Sequence, residues 1–160
     1  MAEPAIRLSP RAPRPGDVRA LEQAERLCFP DPWPGQFFVS EIFAPGRFHR
    51  VLVDPAGELV AYLFSAWQYL DLHVLKVATL PHFRRAGLAR RLMAMAERHA
   101  CRMGGDTITL EVRTDNQPAL SLYQALGYVL AGRRRHYYAD GKDAIIMSKR
   151  IDQIENNAGI

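Results

Sequence analysis

Two segments of the chain carry side chains suited to chemistry. The first is Arg84, Arg85, Ala86, Gly87, Leu88 and Ala89, between a β-rich segment closed by Pro81 and an amphipathic stretch over residues 87–103. A helix N-terminus has free backbone donors and the positive end of the helix dipole, so this junction attracts anions. Gly87 and Ala89 lack bulk, which lets a backbone approach a pyrophosphate closely, and the two arginines add positive charge beside it. A tight turn with solvated arginines is the plain alternative. The second place is Thr107–Arg113, where Ile108, Leu110 and Val112 alternate with Thr107, Thr109, Glu111 and Arg113. That period of two puts Glu111 on the polar face of a strand, where a carboxylate either sits in solvent or accepts a proton from a bound group.

Hydrophobic pattern and chain breakers outline the secondary structure around both segments. Residues 6–8 are the one strand expected in the Pro- and Arg-rich start. Asp17 is placed to cap a helix with Val18, Leu21, Ala24 and Leu27 on its apolar side, ending near Phe29. Pro30, Pro32 and Pro34 make the following stretch, with Trp33, a stiff loop. A short helix over 36–44 carries Phe37, Phe38, Ile42 and Phe43. Segments 50–53 and 58–67 form a hairpin, and a strand over 72–79 leads into the Arg84 junction. The helix over 87–103 is expected to bury Leu88, Leu92, Met95, Ala96, His99 and Met103, and Gly104 and Gly105 end it. Asn116 caps a helix holding Pro118, Leu122, Tyr123 and Leu126, with Gly127 just past its end. Residues 128–149 are β-like, with a turn at Asp140 and Gly141. Residues 1–151 are expected as one domain and 152–160 as a loose tail. Helices and strands in this order give an α/β or α+β layered domain.

Bulk properties narrow the class. The chain has 160 residues, 48% of them hydrophobic, enough for one packed core. No apolar run approaches the roughly 20 residues of a membrane span, and Glu3, Pro4 and Arg7 give the start no signal-peptide character, so a cytosolic protein is expected. Cys28 and Cys101 lie far apart with no metal-ligand spacing, so neither a disulfide framework nor a metal site is indicated; both are expected as buried small hydrophobes. A net charge of +4 suits a nucleotide ligand without requiring one. Arg133, Arg134 and Arg135, followed by His136, Tyr137 and Tyr138, have the interleaving of an RNA-binding strand, but so short a basic run is ordinarily a solvated face.

The segment from Arg84 to Ala89 fits R/Q-x-x-G-x-G/A opening a helix after a strand, and in this the sequence resembles the GNAT superfamily of acetyl-CoA-dependent N-acetyltransferases. The resemblance extends through Leu110, Glu111, Val112, Arg113, Thr114, Asp115 and Asn116, then Leu122, Tyr123, Gln124, Ala125, Leu126, Gly127 and Tyr128. It is most similar to the RimI-type ribosomal protein alanine N-acetyltransferases, through the Pro-Trp pair after Phe29, the Leu-Glu-Val-Arg strand, Arg134 to Tyr138, and Asp143 to Met147. Thr79 and Leu80 depart from the usual Val and Asp, and His136 stands where Asn is common.

The resemblance implies a mixed, mostly antiparallel sheet flanked by helices, with a splayed strand pair holding acetyl-CoA, and release of CoA without a metal. It implies cofactor contacts from Val77, Ala78, Thr79, Arg84, Arg85, Ala86, Gly87, Leu88, Ala89, Asn116 and Tyr123, the backbone at 77–79 also stabilising the developing oxyanion. An amine must be neutral to attack, and an α-amine has a pKa of about 7.7 to 8.0. Glu111 is implied as its base, directly or through water, and Tyr123 as the acid that protonates the departing thiolate. Trp33, Tyr137 and Tyr138 are candidates to line the acceptor groove, and Glu41 or Asp31 to attract a basic peptide. The implied acceptor is a protein N-terminus such as that of a ribosomal protein. Acetylation of a small amine or lysine, and a non-catalytic acyl-CoA-binding module, remain alternatives; a module would need the cradle without the proton-handling pair.

Overall fold

A computed structural model of the chain describes residues 5–157. Among the described residues, seven strands, in the order β1-β2-β3-β4-β5-β7-β6, and five α-helices give the mixed α/β architecture expected. The ladders β1–β2, β2–β3, β5–β7 and β6–β7 are antiparallel, and β4–β5 is parallel. The chain forms two compact units, one comprising the chain up to Phe64 with Lys76–Leu92, the other Ser65–Leu75 with the chain from Met93 onward.

In the first unit, β1 (Ser9–Arg11) lies just beyond the expected residues 6–8 and pairs with β2 (Arg50–Val53), which pairs in turn with β3 (Leu59–Gln68). Asp54 builds the β2–β3 turn, its Oδ1 accepting from the N–H groups of Ala56 and Glu58, each at 2.9 Å. Helix α1 (Val18–Cys28) buries Leu21, Ala24 and, unexpectedly, Glu25, while Leu27 is exposed. Asp17 does not cap α1 with its side chain. Its carboxylate is taken by the Arg11 guanidinium at 2.7 and 2.8 Å and by Arg14 N–H, closing a short turn before the helix. Helix α2 (Gly35–Phe43) buries Phe38 against Tyr62 and Phe64, with ring centroids 6.2 and 5.1 Å apart.

In the second unit, β5 (Thr107–Arg113) alternates as its sequence demands, burying Ile108, Leu110 and Val112. It lies between the first part of β4 (Asp71–Thr79) and β7 (Ala144–Arg150), which pairs with β6 (Val129–Arg134). Helix α3 (Leu88–Arg102) passes from the first unit into the second and buries Leu92, Met93, Ala96 and Ala100. Met103 falls beyond its end, in the turn where the chain leaves the helix, and is exposed. Helix α4 (Gln117–Ala125) begins at Asn116, whose Oδ1 accepts from Ala119 N–H at 3.3 Å. It ends at Gly127, φ 91°, with Tyr128 N–H bonding back to the Tyr123 carbonyl. Where a loose tail is expected from Asp152, the chain forms α5 (Ile151–Asn157), anchored by buried Ile151; residues 158–160 lie outside the described residues. Cys28 and Cys101, expected to be buried, are half-buried.

Candidate active site

In the first unit, β4 delivers the backbone of Val77, Ala78 and Thr79 to a short turn at Pro81–Phe83, after which the chain enters α3. Arg85 has φ 65° and Gly87 φ 75°. Positive φ in a turn is the kind of backbone that builds anion-binding nests, and the N-terminus of α3 that follows adds its free N–H groups. No other heavy atom comes within 4 Å of where a Gly87 Cβ would stand, so backbone can be approached there. These residues fit a pyrophosphate. Arg84 is turned back toward its own strand, its Nε donating to the Thr79 carbonyl at 3.3 Å, where the Cys28 thiol also donates at 3.5 Å. Burial pushes the Cys28 thiol pKa up, with Arg84 opposing it.

The loop after α1 holds Trp33, and its tether escaped the sequence reading. Trp33 N–H donates to Glu25 Oε2 at 2.9 Å, the Tyr62 hydroxyl donates to Oε1 at 2.7 Å, and Lys76 Nζ lies 3.3 Å from Oε2. Burial lowers the Lys76 pKa, and Glu25 pulls it back up. The available signal was a carboxylate four residues after Leu21, on the apolar face of α1. Glu41, a candidate to attract a basic peptide, is instead buried and committed to Arg47, whose Nε donates to it at 2.6 Å.

In the second unit, Glu111 stands on the polar face of β5, nearly buried, with both oxygens engaged. Its Oε2 is 2.8 Å from His73 Nε2, and its Oε1 is 3.3 Å from Arg134 Nε. His73 was not singled out from the sequence, although it alternates with Leu72 and Val74 and so shares the polar face. Tyr123, on α4, is mostly buried, its ring edge-on to Tyr128 at 5.9 Å, and burial raises its pKa so that the phenol holds its proton. Tyr137 and Tyr138 pack edge-on at 5.1 Å, with Arg134 over Tyr137 and Arg113 over Tyr138. Burial and Glu111 together raise the Tyr137 pKa. The first unit thus gathers Trp33 with the residues from Val77 to Ala89, and the second gathers Glu111, Asn116, Tyr123, Tyr137 and Tyr138. Among the described residues no group of three or more His, Cys, Asp or Glu could hold a metal ion, and no helix is long and apolar enough to cross a membrane.

Comparison with known proteins identifies the family. Residues 18–128 match the model of the acetyltransferase (GNAT) family. An N-alpha-acetyltransferase of Sulfurisphaera tokodaii is 33% identical, the alignment covering 82% of this chain and 86% of that protein. The N-alpha-acetyltransferase RimI of Mycobacterium tuberculosis is also 33% identical, over 79% and 81% of the two chains. The crystal structure of the ribosomal-protein-S18-alanine N-acetyltransferase from Escherichia coli superposes with a TM-score of 0.82 at 28% identity, covering 91% of this chain and 94% of that one. With its motif, its fold and its relatives in agreement, this chain belongs to the GNAT acetyltransferase family and is an acetyl-CoA-dependent N-acetyltransferase similar to RimI.

Proposed function

We propose that the protein acetylates the N-terminal α-amine of a protein, a ribosomal protein being the first candidate, with residues 1–151 acting as one catalytic domain. The observation that carries this reading is the pairing of Glu111 with His73 at 2.8 Å, a proton-accepting pair in a chain that also carries backbone suited to a nucleotide pyrophosphate. A module that only bound acyl-CoA would need the cradle and no proton acceptor. The relatives named for N-terminal acetylation support the acceptor.

In this mechanism the N–H groups from Arg85 to Ala89 hold the pyrophosphate, and main chain at Val77, Ala78 and Thr79 orients the acetyl group. Asn116 adds a cofactor contact without leaving its cap. Bound acetyl-CoA supplies the activated acyl carbon. Because both Glu111 oxygens are already engaged, the amine proton passes to the Glu111–His73 pair, through His73 or a water, and not to an idle carboxylate. Tyr123, kept protonated by burial, donates to the leaving sulfur. Trp33 in the first unit, and Tyr137 and Tyr138 in the second, are the candidates for contact with the acceptor.

The test incubates the protein with acetyl-CoA and Ala-starting peptides having free or blocked N-termini, with and without lysine, and maps the added acetyl by fragmentation mass spectrometry. Acetyl on the free α-amine alone is the expected result. Labelling confined to lysine, or turnover only with small polyamines, would overturn the acceptor.

A further inference from the structure

We propose that Glu25 is a positioning residue for acceptor capture: its carboxylate tethers the loop 29–34 to β3 and β4, so that one fixed wall meets the incoming peptide. The acceptor part of this inference rests on the N-terminal reading above.

Glu25 is fully buried on α1, where a carboxylate bears a heavy desolvation cost. Three donors from three segments meet it: the Tyr62 hydroxyl of β3, the Trp33 N–H of the loop, and the Lys76 ammonium of β4. Lys76 Nζ also lies 3.8 Å from the Phe29 ring centroid and 4.9 Å from that of Trp33, so the cation grips the loop from the strand side. The Trp33 ring then packs on Phe37 and Phe38, at 4.6 and 5.4 Å. Three prolines already stiffen the loop internally. What remains to be fixed is its placement as a rigid piece, and the Trp33 N–H bond is the link that sets it. Stability alone is a poor reason for this pair, because apolar residues of similar volume often replace a buried ion pair at no loss.

Two double variants both remove the charges and differ only in the tether. In Glu25→Gln/Lys76→Met the amide oxygen still accepts from Trp33 N–H, while the Tyr62 hydroxyl turns to accept from the amide nitrogen. In Glu25→Met/Lys76→Met nothing accepts from Trp33 N–H. Folding is verified by circular dichroism and by acetyl-CoA affinity, which is expected to be unchanged in both. The Met/Met variant is expected to raise the acceptor KM roughly tenfold to a hundredfold, with kcat nearly kept, and to speed amide exchange in peptides covering residues 29–35. The Gln/Met variant is expected within about threefold of wild type in KM, the scatter of a conservative change. Equal KM and equal exchange in the two variants would overturn the proposal, as would a parallel rise in the acetyl-CoA KM. If the wild type acetylates only lysine or small amines, the N-terminal reading fails, and amide exchange with the KM for that amine still decides the role of Glu25.

Discussion

His73 Nε2 and Glu111 Oε2 stand 2.8 Å apart on neighbouring parallel strands. His73 is in register with Thr109, so it reaches Glu111 diagonally, one pleat along the same face. Glu111 also meets Arg134 of β6, which joins it to the strand leading into the Tyr137 loop.

This arrangement predicts that Glu111→Gln lowers kcat by about 10²- to 10⁴-fold, the usual range for a general acid or base, while acetyl-CoA affinity stays near wild type. His73→Leu is expected to lower kcat as well, and the double variant to cost little more than Glu111→Gln alone, since two members of one relay are not additive. Single-turnover kinetics with calorimetry checks both. Additive losses would show that the two side chains act separately.

Tyr123→Phe removes a hydroxyl and keeps a ring packed on Tyr128. The expected outcome is a folded, cofactor-binding protein with kcat lowered by about 10²-fold or more. Wild-type turnover under chemistry-limited conditions would eliminate Tyr123 as the acid.

At the cradle, Gly87 has φ 75° with open space around it. Gly87→Ala should therefore cost about 1 kcal/mol of stability from the backbone conformation alone, with acetyl-CoA affinity reduced as the added methyl stands over the N–H groups. Gly87→Glu should abolish binding, because it adds a negative charge where the pyrophosphate belongs. Thermal unfolding separates the first effect and calorimetry the second.

Legibility followed periodicity. The alternation in β5, the Asn116 cap and the Gly127 stop were all readable, because each depends on residues close in sequence. Asp17 went astray through an equally local competition: a carboxylate bonded to Arg11 and Arg14 N–H has no oxygen oriented for the helix. His73 and Glu25 were not found, since the partners that give them roles are 38 residues away at Glu111 and 37 away at Tyr62. Pattern does still mark such residues, as a polar group on an apolar helix face or an imidazole facing a carboxylate strand.

Asp17 yields a pH prediction. Arg11 and Arg14 N–H hold its carboxyl below the ordinary carboxylate value, so the folded state favours the ionised form. Its contribution to stability is then fully present above the unfolded pKa of about 3.9 and is lost as pH falls through the lower folded value. Asp17→Asn should be less stable than wild type at neutral pH, and the difference should shrink below about pH 4. Denaturant unfolding across pH 3 to 7 measures it. A difference that stays constant down to pH 3 would show that the charge of Asp17 contributes nothing.

Arg113 gives the last prediction. It stands on β5 two residues beyond Glu111, and its guanidinium bonds Asp140 of the β6–β7 turn, pairs with Asp115 at 3.1 Å, and stacks 4.7 Å from the centre of the Tyr138 ring. The same turn is closed by Gly141 at φ 85° and by Asp143, which accepts from His136 N–H at 2.9 Å and from Arg133 at 2.7 Å. One cation therefore ties the turn carrying Tyr137 and Tyr138 to the strand carrying Glu111. Arg113→Met keeps much of the stem and loses the fork, so the turn should loosen while β5 stays paired along its whole length with β7. The expected result is a raised acceptor KM with a smaller change in kcat and unchanged acetyl-CoA affinity. Arg113→Lys should recover only part of the loss, because an ammonium cannot span two carboxylates and a ring face as a planar guanidinium does. Asp140 is held below its ordinary pKa by Arg113. Its carboxylate stays ionised above about pH 4, so the clamp keeps its charge pairing at neutral pH. A KM unaffected by Arg113→Met would show that the tyrosine turn keeps its place without this clamp.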